Sequence, residues 1–189
     1  MNVNLNILAA TIIEVARHEE LLLSRVGKGI FFMPEVAFAY AVGLKLAMRA
    51  ELAFGTGEAK WYLEKTIAGG HPTDLVFEVN NGLGLAIEFK RWGNPDDYES
   101  DLKKLEAIDS SKYTKVFCAL VNVRPDLLSK DNRIQSVENR EGPLKVRRLT
   151  KDFDFFSTVH DSFKTIQICC LIGIWEVEAS KASAKHAIP

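Results

Sequence analysis

The stretch that most constrains this chain is residues 72–92, PTDLVFEVNNGLGLAIEFKRW. Two apolar strand-like runs flank an Asn/Gly turn and carry Asp74, Glu88 and Lys90 at their outer ends. Strand alternation groups Leu75, Phe77 and Val79 on one face of the first run, with Asp74, Val76 and Glu78 on the other. In the second run it sets Leu85, Ile87 and Phe89 against Ala86, Glu88 and Lys90. A two-residue Asn81-Gly82 loop would put Phe77 opposite Ala86 and mix the faces. A three-residue loop of Asn80, Asn81 and Gly82, or a five-residue loop running to Gly84, pairs residues whose numbers sum to an even value, and the apolar sets then coincide. A one-residue slip would turn half of that set into water, so burial selects the even registers. Asp74 then shares a face with Glu88 and Lys90.

Three charges at the ends of two apolar strands are either solvated or form a site, because an unpaired buried charge costs on the order of what a whole domain has in hand. The solvated alternative is an exposed sheet face carrying a cross-strand salt bridge, which is nearly neutral for stability. Two carboxylates held together repel, and a divalent cation is the common way to keep both ionised. Mg²⁺, or Mn²⁺ in its place, suits such a pair: it is hard, prefers oxygen, and takes one or two carboxylates with waters and phosphate oxygens. A neighbouring lysine can orient a metal-bound water or stabilise charge on a phosphate under attack, which is the chemistry of phosphodiester hydrolysis.

The arrangement Pro72-Thr73-Asp74 followed by Glu88-Phe89-Lys90 resembles the signature of the PD-(D/E)XK nuclease superfamily, an aspartate opening one strand and a Glu-x-Lys on the next. Thr73 separates the proline from the aspartate, and that proline carries no chemistry in the family. The resemblance implies Asp74 and Glu88 as metal ligands, the Phe89 carbonyl as a further ligand, and Lys90 as the residue acting on the water. Many members also carry a glutamate on the first core helix that reaches the metal directly or through water, and Glu35 stands near that position. Glu35 has a plain alternative, since a glutamate in a first helical turn is favoured by the helix dipole. Arg91 and Trp92 follow Lys90 and are the candidates for contact with nucleic acid, the arginine pairing with phosphate and the indole stacking on a base; capping the sheet edge is the other role open to them.

Two further acidic-x-lysine triplets, Glu58-Ala59-Lys60 and Asp101-Leu102-Lys103, lack this context. Tyr98, Leu102, Leu105 and Ile108 recur at helical spacing, so Asp101 and Lys103 project from a helix in different directions and are set aside.

The rest of the chain supplies the element order. Residues 3–24 read as a first helix; a second opens at Pro34 and runs through EVAFAYAVGLKLAMRAEL. AKWYLEKTI reads as a strand before the hairpin, and a helix from about Pro95 to Asp109 leads to a strand KVFCALVNV. The expectation is an α/β fold with a central mixed sheet flanked by helices: a restriction-endonuclease-like α-β-β-β-α-β core with an extra N-terminal helix. LKVRRL and TIQICCLIGIW add C-terminal strands, while DSSKYT and RPDLLSKDNR read as loops.

With 189 residues, 47% of them hydrophobic, and no linker, residues 1–178 read as one domain and 179–189 as a flexible tail. A formal net charge of -1 argues against strong nonspecific binding of nucleic acid but leaves room for a local basic rim. Cys118, Cys169 and Cys170 sit in apolar runs without a CxxC pair and read as reduced core residues of a cytoplasmic protein. The apolar run from Ile166 to Trp175 is too short to span a bilayer. The function that the resemblance implies is a metal-dependent nuclease acting on DNA, with a homodimer as the arrangement suited to cutting both strands. The alternative is a binding or scaffold protein that keeps the fold without the chemistry.

Overall fold

Seven strands form one mixed sheet in the order β1-β2-β3-β4-β7-β5, with β6 also paired to β7. The computed structural model describes residues 3–79, 83–127, 130–159 and 167–179. β1 (Ala59–Ala68), β2 (His71–Val79) and β3 (Gly84–Arg91) make an antiparallel meander. Helix α4 (Pro95–Glu106) then crosses back, so that β4 (Tyr113–Val123) lies parallel to β3. A parallel neighbour requires such a crossover. β7 (Ile168–Ala179) pairs antiparallel with β4, and β5 (Leu144–Arg148) and β6 (Asp154–Thr158) pair antiparallel with β7.

The two faces of the sheet carry separate cores. Leu75, Phe77, Val79, Leu85, Ile87 and Phe89 pack under α1 (Leu5–Ser24), α2 (Glu35–Ala47) and α3 (Ala50–Phe54). Ala86, Phe117, Ala119 and Val121 pack with Tyr98, Leu102 and Leu105 of α4 and with Ile134 and Val137 of α5 (Asn132–Glu138).

The hairpin adopts the even register, with Leu75 opposite Ile87 and Phe77 opposite Leu85. The Val79 N–H donates to the Leu83 carbonyl at 2.9 Å, which leaves three residues between them, as the shorter of the two expected loops requires. Asn80, Asn81 and Gly82 themselves lie outside the described residues. The expected apolar set is therefore buried on one face, and Asp74, Glu88 and Lys90 belong to the other.

Several elements differ from expectation. The second helix is two: α2 ends at Ala47, Arg49 leaves helical geometry at φ -113 and ψ 19, and α3 starts at Ala50. Pro34 stands at the N-cap, not inside the helix. The break has a tertiary cause, since the Arg49 guanidinium is drawn to Thr11 (3.1 Å) and Glu14 (2.7 Å) on α1, while Ala53 and Phe54 turn into the core. The segment RPDLLSKDNR contains a 3-10 turn at Pro125–Leu127 and the start of α5, capped by Asp131, which accepts from the Arg133 N–H at 3.0 Å. β6 had no counterpart in the expected elements; it is held by α1, through Asp154 to Arg17 (2.7 Å) and Thr158 to Glu20 (2.7 Å). Ala179 closes β7, and the remainder of the expected tail lies outside the described residues. Cys118, Cys169 and Cys170 are buried free thiols. Among the described residues no helix is long and apolar enough to cross a membrane.

Candidate active site

Beyond the Leu75–Ile87 pair the two site strands part: β2 continues against β1 and β3 against β4. Asp74 fills the opening, and its Oδ2 accepts the Phe89 N–H at 2.7 Å. Within a strand the N–H and C=O of one residue point to the same edge, so the Phe89 carbonyl turns toward this opening as well. The Phe89 ring lies on the opposite face, edge-on to Phe38 with centroids 5.5 Å apart.

Glu88 is 1% exposed beneath α4. Its Oε2 faces Lys104 Nζ at 3.5 Å, while Oε1 is buried with no hydrogen-bond partner among the described residues. Lys90 Nζ lies 2.7 Å from Asp101 Oδ2 in an ion pair, and Lys104 Nζ lies 2.8 Å from Asp101 Oδ1. One buried carboxylate thus holds two ammonium groups beside the carboxylates of β2 and β3. Glu35 closes the end of the cluster, where its Oε2 accepts the Arg91 N–H at 2.7 Å.

The electrostatics are those of a site short of positive charge. Burial, reinforced by the charge of Asp74, pushes Glu88 up to about 8, with Lys104 opposing. Burial also raises Asp74 to about 6; the Phe89 N–H opposes this, and the charges of Glu35 and Asp101 add to it. Glu35 is raised by burial against the pull of the Arg91 N–H and of Lys90. For Lys90 and Lys104 burial alone would lower the pKa, but the Asp101 carboxylate outweighs it and both are raised, so both stay protonated.

Asp101 and Lys104 are the members of this cluster that sequence reasoning missed. Asp101 and Lys103 do leave α4 in different directions, but the direction of Asp101 is inward: it shares the buried face with Tyr98, Leu102 and Leu105, while Lys103 pairs outside with Glu99 at 3.9 Å. An aspartate inside an apolar stripe at helical spacing is itself the signal, because a buried carboxylate needs a partner. Lys104, three residues further on, is one of the two.

Arg91 is committed to the protein. Its Nη1 donates to the carbonyls of Phe31, at 2.6 Å, and Met33, and so fastens the segment that leads into α2 and Glu35. Trp92 sits at φ 60, a left-handed conformation that costs a bulky residue strain. Its ring lies 5.9 Å from Phe31 and its backbone N–H donates to Leu120 at 3.0 Å. Both residues therefore have the edge-capping contacts that were the alternative to phosphate and base.

Among the described residues no three His, Cys, Asp or Glu side chains gather closely enough to hold a metal ion by themselves. The donor set still fits Mg²⁺, which needs only one or two protein carboxylates beside water and substrate oxygens. The buried, unpartnered Oε1 of Glu88 is the observation that supports the fit. Compared with protein-family models, with curated proteins and with solved structures, the chain matches none of them.

Proposed function

We propose that this chain is a metal-dependent nuclease that hydrolyses phosphodiester bonds in DNA, with a PD-(D/E)XK-type site in a restriction-endonuclease-like core. The order α2, β1, β2, β3, α4, β4, with the short α3 inserted between α2 and β1, follows the order of that core, and it supports the reading. The observation that carries it is the opening between β2 and β3, where Asp74 accepts the Phe89 N–H and the neighbouring Glu88 has an Oε1 with no hydrogen-bond partner among the described residues.

Asp74 and Glu88, with the Phe89 carbonyl, would hold Mg²⁺ or Mn²⁺, which supplies Lewis-acid polarisation and an acidified water when bound. Lys90, kept protonated by Asp101, donates: it orients the attacking water and stabilises the charge that grows on the phosphate oxygens. Asp101 acts through the two lysines and is a positioning residue. Glu35 fixes the backbone at Arg91, the end of the site strand.

The test is incubation with plasmid, linear duplex, single-stranded DNA and RNA, with Mg²⁺ or Mn²⁺ and with chelator, beside calorimetric metal titration. Asp74→Ala should lose metal binding and cleavage together. Lys90→Ala should keep metal and lose about 10²–10⁴-fold in cleavage rate. Lys90→Ala cutting as fast as wild type would refute the mechanism. Nucleic-acid binding without cleavage under any metal would favour the non-catalytic scaffold.

A further inference from the structure

Val36, Tyr40 and Leu44 on α2 and Met48 at its C-cap follow one another every four residues and are 46%, 51%, 45% and 74% exposed. The same step continues to Phe32 before the helix and to Leu52 on α3, both also exposed. A large aromatic side chain offers roughly 150–250 Å² and the four aliphatic ones less, so these six partly exposed residues present on the order of 500 Å², in the upper part of the range for the largest patch on a monomer, about 300–600 Å². One such patch from each of two copies comes to about 1,000 Å², the least that a specific interface needs.

We infer that this ridge is the interface of a symmetric dimer, in which α2 of one copy packs across α2 of a second copy of this chain. Residues four apart form a ridge inclined to the helix axis, and two such ridges interdigitate at a crossing angle of about -50°, the commonest class of helix packing. The ridge matches itself. A two-fold axis between Tyr40 and Leu44 sets Tyr40 against Leu44 of the second copy and Val36 against Met48 of the second copy, so each larger side chain meets a smaller one. An open groove of about 270 Å³ beside the ridge has Val15, Ala41, Leu44 and Met48 in its apolar lining and His18 and Glu19 in its polar lining. A tyrosine carries both an apolar body and a polar tip. On this flank Glu14 pairs within the subunit with Lys45 at 2.9 Å and with Arg49 at 2.7 Å, so these three groups enter the contact already paired. This surface stands apart from the site chemistry and does not depend on it.

Sedimentation velocity over a concentration series tests it, with circular dichroism as the fold control, since the altered positions are exposed. Wild type should be dimeric at micromolar concentration. Leu44→Glu should weaken association by about 100-fold or more, the effect of a carboxylate forced into an apolar contact. Adding Tyr40→Lys to Leu44→Glu places opposite charges across the two-fold axis and should restore much of the dimer. Wild type that stays monomeric at about 100 μM, about a hundred times a micromolar dissociation constant, would overturn the inference, even if it sediments with lipid vesicles. A dimer indifferent to Leu44→Glu would overturn it as well.

Discussion

Glu88→Gln should stabilise the metal-free protein, and increasingly so as pH rises. The Glu88 carboxyl is raised from 4.5 to about 8 by burial and by the charge of Asp74. Between those values the unfolded chain has released the proton that the folded chain still holds, so stability falls as pH rises through this window. The slope is about 1.4 kcal/mol per pH unit, and across the window the loss approaches about 5 kcal/mol, an upper figure because a strained site relaxes. At 1% exposure little of it is screened by solvent. Glutamine keeps the shape and removes the titration. Urea denaturation of both proteins in chelator, from about pH 5 to about pH 8, should give similar stabilities at the acid end and a clear advantage for the variant at the alkaline end. Saturating Mg²⁺ should then rescue wild type at alkaline pH and leave the variant unchanged, because only the ionised pair binds the cation. Parallel pH dependence in the two proteins would refute the assignment of Glu88 as a buried carboxylate that Lys104 compensates only in part.

Asp101→Asn should release both ammonium groups onto Asp74 and Glu88, lowering Mg²⁺ affinity and cleavage by about 10–100-fold; calorimetry and a cleavage time course read the two effects. Arg91→Ala removes the donor that fastens the carbonyls of Phe31 and Met33 and should cost about 2–3 kcal/mol in urea denaturation. Gly43→Ala should lower the melting temperature despite the better helix propensity of alanine, since a Cβ there would come within 2.6 Å of the Trp61 ring; the expected cost is about 1–3 kcal/mol.

The hairpin was legible because its two faces differ in polarity and only one parity of register buries the apolar one. The same alternation brought Asp74, Glu88 and Lys90 to one side of the sheet. β4 and β7 were legible as continuous apolar runs, as strands buried on both faces must be. Elements fixed by distant partners were hidden. Arg49 ends a helix that its own sequence would continue because Glu14, 35 positions earlier, draws it away. β6, with Phe155 exposed and Phe156 half-buried, holds its place through Arg17 and Glu20 on α1. Asp101 was readable in principle, since its spacing put it among Tyr98, Leu102 and Leu105, but Lys90 as its partner depends on how α4 lies across β3.

The strand that completes the sheet beside β4 comes from far along the chain. β4 ends at Val123 and β7 begins at Ile168, yet the two are paired from Val116 opposite Glu176 to Val123 opposite Cys169. During synthesis the meander and β4 can assemble from neighbouring residues, but one edge of β4, lined by Val116, Phe117, Leu120 and Val121, stays open until residues 168–179 emerge. Contacts between residues so far apart form slowly, and an unpaired apolar edge invites the same edge of another nascent chain. The last strand therefore protects the chain as well as stabilising it, and a ribosome that stalls before Ile168 releases a product whose most reactive surface is its own unfinished sheet.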